Sequence, residues 1–176
     1  MKIKVLPRTY FAEIMGTSKE VELLDTHRII SLNSSSGSAA MPPFSDLHSK
    51  NLQYLTVDDI VWKVRGMILF NKDHANRIWD FTAGYTLPQL IHCTAGISRS
   101  GAVGEVLNWY FNSYLQQSCD DFAAFYWEHP NIEPNPHIRS VLLEALERRL
   151  DLKNGTCGNL MKSEIEKLKT FQEGEK

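Results

Sequence analysis

The segment 87–111 changes from a strand pattern to a helix pattern across a short loop, and this change constrains the fold more than any other feature of the chain. The apolar run 87–91 predicts a strand that leads directly into His92 and Cys93. Beyond a glycine-containing loop, apolar residues recur at helical spacing: Val103, Val106, Leu107, Tyr110 and Phe111. A strand that continues through a tight loop into a helix is typical of an α/β domain.

Other strands are predicted from short β-branched or aromatic runs. Two such runs lie at 28–32 and 52–57, and one or two more short strands are expected within 1–14. The segment 33–49 is rich in serine, glycine and proline, which disfavour both helix and strand. We expect that segment to be a surface loop.

Two helices have recognisable starts. One is predicted to begin near Asp73 and to bury the face formed by Ala75, Ile78, Trp79 and Thr82. The other follows Asn135, a suitable N-cap, with Pro136 in the first turn. Strands that alternate with helices again indicate an α/β fold.

Length and composition favour one domain. The chain has 176 residues, of which 43% are hydrophobic and 23% charged, so a single domain spanning 1–176 can bury its own core. Within it, 154–176 is expected to be a peripheral tail with a short, frayed amphipathic helix. The formal net charge of -2 gives no overall basic surface, so no nucleic-acid partner is expected.

The expected setting is cytoplasmic. No uninterrupted apolar stretch resembles a signal peptide or a membrane span, so no membrane partner is expected. Three cysteines, an odd number without compact spacing, do not suit a disulfide framework. The histidines lack metal-ligand spacing, and no metal site is predicted.

The loop that follows the 87–91 strand carries the residues with distinctive chemistry. Cys93 is separated by five residues from Arg99, at the junction of the predicted strand and helix. Backbone N–H groups in such a loop can point inward and form a cradle for an anion such as a phosphate dianion. Gly96 permits backbone angles closed to other residues, and Arg99 can hold two phosphate oxygens with its planar fork.

The same cradle should activate the cysteine. Inward N–H groups and a helix N-terminus favour thiolate over thiol, and the thiolate is the nucleophile. A hydroxyl from Ser100 or Ser98 could then donate a hydrogen bond to the sulfur. His92 is expected to order the loop rather than to act as a base, since the thiolate already forms without one.

The segment from His92–Cys93 to Arg99–Ser100 matches the signature of the cysteine-based protein-tyrosine phosphatase superfamily, and 95–100 resembles the dual-specificity branch. The resemblance implies a single α/β domain with a mostly parallel sheet flanked by helices. It implies a phosphomonoester hydrolase that works through a phosphocysteine intermediate, without cofactor or metal, on a phosphorylated protein. The loop residues expected to bind the phosphate are Thr94, Ala95, Gly96, Ile97, Ser98 and Arg99.

The resemblance also implies an aspartate general acid on a loop that precedes the cysteine in the chain. Asp58 and Asp59 follow the 52–57 strand at the appropriate distance. Asp59 is preferred, because in the enzymes that the chain resembles one residue separates the last apolar residue of the strand, here Val57, from the acid. Alternation beyond Val57 also points the two side chains in opposite directions, so that only one should face the phosphate loop. The segment 60–72 departs from compact relatives and is expected to form an extra helix or a larger lid. Within it, the pair Lys63 and Arg65 could meet an anionic substrate, but an isolated basic pair is more often solvated surface.

Other functions remain open on the sequence alone. The chain could bind phosphoproteins without turnover, although Cys93, Arg99 and Ser100 are all intact. It could use the same chemistry on phosphoinositides or RNA 5′ phosphates, although the loop contains no lysine. A thiol redox enzyme would require a resolving cysteine, and neither Cys119 nor Cys157 lies near Cys93 in sequence.

Overall fold

Parallel strands form the centre of the structure, a computed structural model that describes residues 1–35, 49–84 and 86–174. Within these residues four strands pair in the order β1-β4-β2-β3, and every pairing is parallel. The strands are β1 (Ile3–Pro7), β2 (Arg28–Asn33), β3 (Leu52–Thr56) and β4 (Gln89–Cys93). Helices flank the sheet, which confirms the predicted α/β class.

The order of the strands explains their composition. β2 and β4 occupy the middle of the sheet, and every residue in both strands is buried. Strands covered on both faces read as nearly continuous apolar runs rather than as alternating ones. Because the strands are parallel, their carboxyl ends meet at one edge, which is where ligands bind in such folds. Cys93 ends β4 there, opposite Pro7 of β1.

Seven α-helices and one short π-helix surround the sheet in the part of the chain that the structure describes. The helices are α1 (Arg8–Ala12), α2 (Ser18–Thr26), α3 (Lys72–Thr82), α4 (Arg99–Asn108), α5 (Cys119–Glu128), α6 (Pro136–Arg149) and α7 (Thr156–Gly174), and the π-helix is Trp109–Tyr114. All residues of α4 are buried, because α4 packs between the sheet and α6. No helix of the described residues is both long and apolar enough to cross a membrane.

The two predicted helix starts are confirmed. The side chain of Asn71 accepts hydrogen bonds from the N–H groups of Asp73 and His74 at the start of α3. The predicted face of that helix, Ala75, Ile78, Trp79 and Thr82, is buried. Asn135 caps α6 by accepting from the N–H groups at 137 and 138, with Pro136 in the first turn.

One of the one or two short strands predicted within 1–14 is present as β1, and the second half of that segment is helical. β1 ends at Pro7, which has no N–H to donate to a strand ladder, and α1 begins at Arg8. Phe11 points from α1 into a small core with Leu24, Ile29 and Leu90. Phe11 therefore serves helix packing, not strand pairing.

Of the two alternatives for 60–72, the extra helix is wrong, because the segment is irregular until α3 begins at Lys72. The larger lid stays a prediction. The expected surface loop 33–49 falls largely on residues 36–48, which lie outside the described residues, and Asn33 itself belongs to β2.

The C-terminal helix is longer than the short segment expected from the sequence. α7 runs from Thr156 to Gly174 and packs against α6. Cys157 and Met161 are buried within the main core. The buried carboxylate of Glu147 in α6 accepts hydrogen bonds from the N–H groups of Gly155 (3.0 Å) and Cys157 (2.8 Å). The start of α7 is thereby fastened to α6.

The contact between α4 and the sheet should tolerate no added side chain at Gly104. A Cβ there would lie 2.5 Å from Cγ2 of Val5 and 3.2 Å from Cζ of Phe125. We expect Gly104→Ala to lower the free energy of unfolding by about 1–3 kcal/mol in urea, the usual cost of overpacking. As a control, Gly158→Ala in α7 meets no atom closer than 3.9 Å and should be neutral or stabilising by up to about 1 kcal/mol. Equal effects of the two substitutions would contradict this packing.

Candidate active site

The loop between Cys93 and Arg99 is held close to the end of β1. Cys93 is the last residue of β4 and Arg99 the first of α4, so the loop consists of residues 94–98. Gly96 has φ +73°, and a Cβ there would lie 2.6 Å from the backbone nitrogen of Pro7. Both the backbone angle and the close approach require glycine at this position.

Two carbonyl groups of the loop, those of Thr94 and Ser98, point outward to neighbouring elements. The oxygen of Thr94 accepts a hydrogen bond from the N–H of Arg8 (3.2 Å), and the oxygen of Ser98 accepts one from the N–H of Asn135 (3.1 Å). In a trans peptide the C=O and the following N–H point in opposite directions. The N–H groups of Ala95 and Arg99 therefore face the inside of the loop, as an anion cradle requires.

Cys93 lies at the base of this cradle and is almost fully buried. Its sulfur is 3.1 Å from the hydroxyl oxygen of Ser100. Burial opposes ionisation of the thiol, but the hydroxyl and N–H of Ser100, the charge of Arg99 and the N–H of Ile97 together lower its pKa below the ordinary value. The surroundings thus favour the thiolate, the nucleophilic form of cysteine.

Arg99 is a buried cation bonded to neutral oxygens. Its side chain donates from Nη1 to the carbonyl of Val57 (2.8 Å) and the hydroxyl of Ser34 (2.9 Å), and from Nη2 to the hydroxyl of Thr94 (3.0 Å). Among the described residues, no carboxylate forms an ion pair with it, and its buried Nε has no hydrogen-bond partner. A buried guanidinium in this state is well suited to receive an anion.

Asp59 lies against the phosphate loop. Its Oδ1 accepts hydrogen bonds from the hydroxyl of Ser98 (2.7 Å) and the side-chain amide of Asn135 (2.8 Å). The carboxylate is exposed at the mouth of the cradle. Because two donors already occupy Oδ1, a proton to be transferred belongs on Oδ2.

Asp58 has different surroundings. It is buried and accepts hydrogen bonds from the N–H of Ser35 (2.9 Å), the hydroxyl of Ser35 and the N–H of Ile68 (2.7 Å). Burial raises the pKa of this carboxyl, but these hydrogen bonds and the charge of Arg99 outweigh it and hold the pKa below the ordinary value. Asp58 is engaged in holding backbone, whereas Asp59 faces the loop.

His92 precedes the nucleophile inside the protein. Its ring is fully buried and lies 4.6 Å from the ring of Phe11, centroid to centroid. Burial, together with the charges of Arg8 and Arg99, lowers its pKa to about 4. The imidazole is therefore neutral at neutral pH. Its predicted part in ordering the loop stays a prediction.

Asn135 is the residue that the sequence did not reveal as part of the site. The sequence identified it only as a helix cap, a role that uses its Oδ1. Its Nδ2 donates to Asp59, and its backbone N–H donates to the oxygen of Ser98. When the side-chain oxygen of a buried asparagine caps a helix, its NH2 group still has two N–H donors that need acceptors. That need is the signal that could have indicated the second role of Asn135.

No group of three or more histidine, cysteine, aspartate or glutamate side chains within 1–35, 49–84 and 86–174 is placed to hold a metal ion. All three cysteines are free thiols. The elements brought together at the site are the carboxyl ends of all four strands, the start of α4 and the start of α6.

Solved structures resemble this chain in fold. The human tyrosine phosphatase-like serine/threonine/tyrosine-interacting protein is 21% identical, with a TM-score of 0.53 over 84% of this chain and 93% of that one. Human DUSP28 is 18% identical, with a TM-score of 0.44 over 85% of this chain and 94% of that one. Tk-PTP in the active form is 16% identical, with a TM-score of 0.46 over 83% of this chain and 90% of that one. No family model and no curated protein matches the sequence significantly. The first likeness confirms the predicted fold.

The surroundings of Asp58 predict a pH-dependent contribution to stability. Because its pKa is lower in the folded chain, the contribution is complete above the unfolded value of about 3.9 and is lost as pH falls through the folded pKa. We expect Asp58→Asn to lower the free energy of unfolding by about 1–3 kcal/mol at pH 7, because an amide cannot accept all three hydrogen bonds.

Urea unfolding at neutral and acidic pH checks this expectation. The penalty of Asp58→Asn should be smaller at about pH 3, below the unfolded value of about 3.9, than at pH 7, because the unfolded wild-type carboxyl is then mostly protonated and the advantage of the ionised folded form decreases. Asp25→Asn, at an exposed position in α2, is the control and should change stability little at either pH. A penalty that is absent at pH 7, or as large at pH 3 as at pH 7, would contradict the assignment.

Proposed function

From the premise that this chain has the tyrosine-phosphatase-like fold, we propose that it is a phosphomonoester hydrolase acting through a phosphocysteine intermediate on phosphorylated proteins, with tyrosine or dual specificity. One observation carries the proposal. The Cys93 thiol, with a lowered pKa, and the buried guanidinium of Arg99, with no ion pair among the described residues, lie at either end of one loop whose N–H groups face inward. This combination of nucleophile, cation and cradle suits a phosphate monoester.

In the first step the Cys93 thiolate attacks phosphorus. The sulfur–phosphorus bond forms as the bond from phosphorus to the ester oxygen breaks, and Asp59 gives its proton to that oxygen. The leaving group departs as a neutral hydroxyl compound. The contacts of Asp59 with Ser98 and Asn135 support this role, because they hold the carboxyl at the mouth of the cradle.

In the second step water hydrolyses the phosphocysteine. Asp59, now a carboxylate, accepts a proton from the water as its oxygen bonds to phosphorus. The sulfur–phosphorus bond breaks, and its electron pair returns to Cys93 as a thiolate. The hydroxyl of Ser100, 3.1 Å from the sulfur, stabilises that thiolate and makes it a better leaving group. Inorganic phosphate then leaves the cradle.

Arg99 stabilises the phosphoryl group through both steps. Its Nε is unpartnered among the residues that the structure describes, and its Nη2 is bonded only to the Thr94 hydroxyl. We assign these two donors to two phosphate oxygens in the complex, where a planar fork matches a tetrahedral anion. The contact of Nη1 with the carbonyl of Val57 would remain and fix the orientation of the fork.

A binding module without turnover is the second candidate. The structural relative at 21% identity is named a tyrosine phosphatase-like serine/threonine/tyrosine-interacting protein. Binding of a phosphorylated protein without hydrolysis would use the same anion cradle. The intact nucleophile, arginine and Ser100 hydroxyl support turnover instead, because binding alone needs no activated thiol. Hydrolysis of a phosphotyrosine or phosphothreonine peptide decides between the two.

The covalent role of Cys93 is tested by removing only the nucleophile. Cys93→Ser should abolish turnover of an aryl phosphate, because a serine hydroxyl stays protonated at neutral pH. Binding of phosphate or a phosphopeptide, measured by calorimetry, should remain because the backbone cradle survives. The control Cys119→Ser, at an exposed thiol, should keep wild-type kinetics. Substantial residual turnover by Cys93→Ser would rule out the phosphocysteine.

The role of Asp59 is tested with two leaving groups. Asp59→Asn should lower kcat roughly 10²- to 10⁴-fold for an ester with a poor leaving group, the usual contribution of a positioned proton donor. The loss should be much smaller for a nitrophenyl ester, whose leaving group hardly needs protonation.

Asp58→Asn is the matched variant for this measurement. It should show no comparable dependence on the leaving group, since Asp58 bonds to backbone and to Ser35 rather than to the phosphate loop. If Asp58→Asn shows the leaving-group effect and Asp59→Asn does not, the assignment of the acid is reversed. If neither shows it, the acid is another residue.

A further inference from the structure

A closed loop, residues 59–67, projects from the end of β3 beside the candidate active site; we call it the Trp62 loop. Asp58 closes it: the N–H of Asp58 donates to the oxygen of Ile68 (2.8 Å), and the Asp58 carboxylate accepts from the N–H of Ile68 (2.7 Å). A turn at the far side, with Gly66 at φ +80°, returns the chain. The loop is therefore fastened at its base and leaves its outer residues facing solvent.

The Trp62 loop forms one wall of the mouth of the site. Its first residue is Asp59, which contacts Ser98 of the phosphate loop, and the oxygen of Ile60 lies 3.4 Å from the amide nitrogen of Asn135. Ile97, on the phosphate loop beside Ser98, is also partly exposed. A phosphate held in the cradle would place its attached chain against these residues.

Large apolar side chains are exposed on this wall. Trp62 is 70% exposed, and the others, at 38–39%, are Val61, Met67, Ile68 and Ile97. Single exposed apolar residues are ordinary, but several on one short segment mark a binding surface. The buried residues Asp58 and Phe70 anchor that segment to the protein and leave these side chains partly open to a ligand.

The charge on the outer part of the Trp62 loop is positive. Lys63 and Arg65 are both exposed, and neither forms an ion pair with another described residue. The two acids at its base do not neutralise them: Asp58 is buried, and Asp59 is turned to the phosphate loop. The wall thus offers three features to a ligand: an aromatic ring, several aliphatic side chains, and two cations that form no ion pair with the described residues.

We propose that the Trp62 loop binds the polypeptide that flanks the phosphorylated residue and selects substrates with acidic side chains next to an apolar one. The inference rests on the proposed phosphatase function and names its substrate class. The aliphatic residues favour a polypeptide over RNA, since nucleic acid offers stacking and phosphate but little aliphatic surface. Two cations in a chain of net charge -2 also suit a few carboxylates better than a polyanion.

The experiment compares three substrates on wild type and two variants. The substrates are a phosphopeptide with glutamates and a leucine beside the phosphorylated residue, the same peptide with glutamines in place of the glutamates, and a small aryl phosphate. The variants are Trp62→Ala and the double substitution Lys63→Gln with Arg65→Gln. All these positions are exposed, so the variants should fold.

Wild type should prefer the acidic peptide, and the double variant should lose roughly 3- to 10-fold in kcat/KM for it, mainly through KM. The preference of wild type should weaken between low and high salt, because exposed charge pairs are screened. Trp62→Ala should raise KM for both peptides several-fold. Aryl phosphate turnover should stay within about twofold of wild type in both variants, because that substrate reaches only the cradle.

A matched control carries the same change of charge elsewhere. Arg148→Gln with Lys153→Gln alters two exposed cations at the opposite end of α6 from Asn135 and should leave the peptide preference intact. Equal peptide KM values in the loop variants and wild type, with normal aryl phosphate turnover, would overturn this inference alone.

Two other results differ from unchanged peptide KM values and lead to different conclusions. Failure of wild type to hydrolyse even the aryl phosphate would overturn the proposed function, and this inference with it. If Trp62→Ala impairs hydrolysis of a 5′-phosphorylated RNA oligonucleotide but not of either peptide, the loop serves nucleic acid and the peptide inference is overturned.

Discussion

The buried guanidinium of Arg99 is the constraint around which the site is organised. It joins the start of α4 to the phosphate loop through Thr94, to the end of β3 through Val57, and to the segment after β2 through Ser34. A charge in such a position is costly unless it is well bonded. Three neutral oxygens accept hydrogen bonds from the two Nη atoms of Arg99, and its Nε is left as a donor for an anion. The same side chain therefore holds the edge of the sheet together and is suited to bind phosphate.

The adjacent acids Asp58 and Asp59 divide structural and chemical work between them. Asp58, held by Ser35 and Ile68, closes the base of the Trp62 loop and lies within the field of Arg99. Asp59, one residue further along the chain, points to the other side and meets Ser98 and Asn135. The bonded Asp58 thus fixes the place where the exposed Asp59 emerges.

The central sheet and the phosphate loop could be predicted because their signals are local. The strand-to-helix change at 87–111, and Cys93 and Arg99 at its junction, follow from spacing and from the chemistry of anion binding. The aromatic residues near the N-terminus were misleading, since Phe11 has strand propensity but packs from a helix. Its partners, such as Leu90, are distant in sequence, so tertiary packing rather than local preference decided the outcome.

The same reasoning explains why Asn135 and the Trp62 loop were not predicted in full. The cap made by Asn135 is local, but its bond to Asp59 joins residues far apart in the chain. The run of apolar residues in 60–72 suggested an extra helix or a larger lid, and two hydrogen bonds between Asp58 and Ile68 fix the first part of it as a loop. Once those bonds close the loop, its apolar residues cannot all reach the core, and Trp62 is left exposed.

The most direct test of the phosphocysteine mechanism is to trap the intermediate. The wild-type chain would be mixed with excess aryl phosphate, quenched in acid within milliseconds, and digested for mass spectrometry. The account predicts a burst of released phenol approaching one equivalent per chain, and a phosphoryl group on the peptide that contains Cys93, bonded to its sulfur. Steady hydrolysis without a phosphorylated Cys93, or a phosphoryl group on another residue, would contradict it.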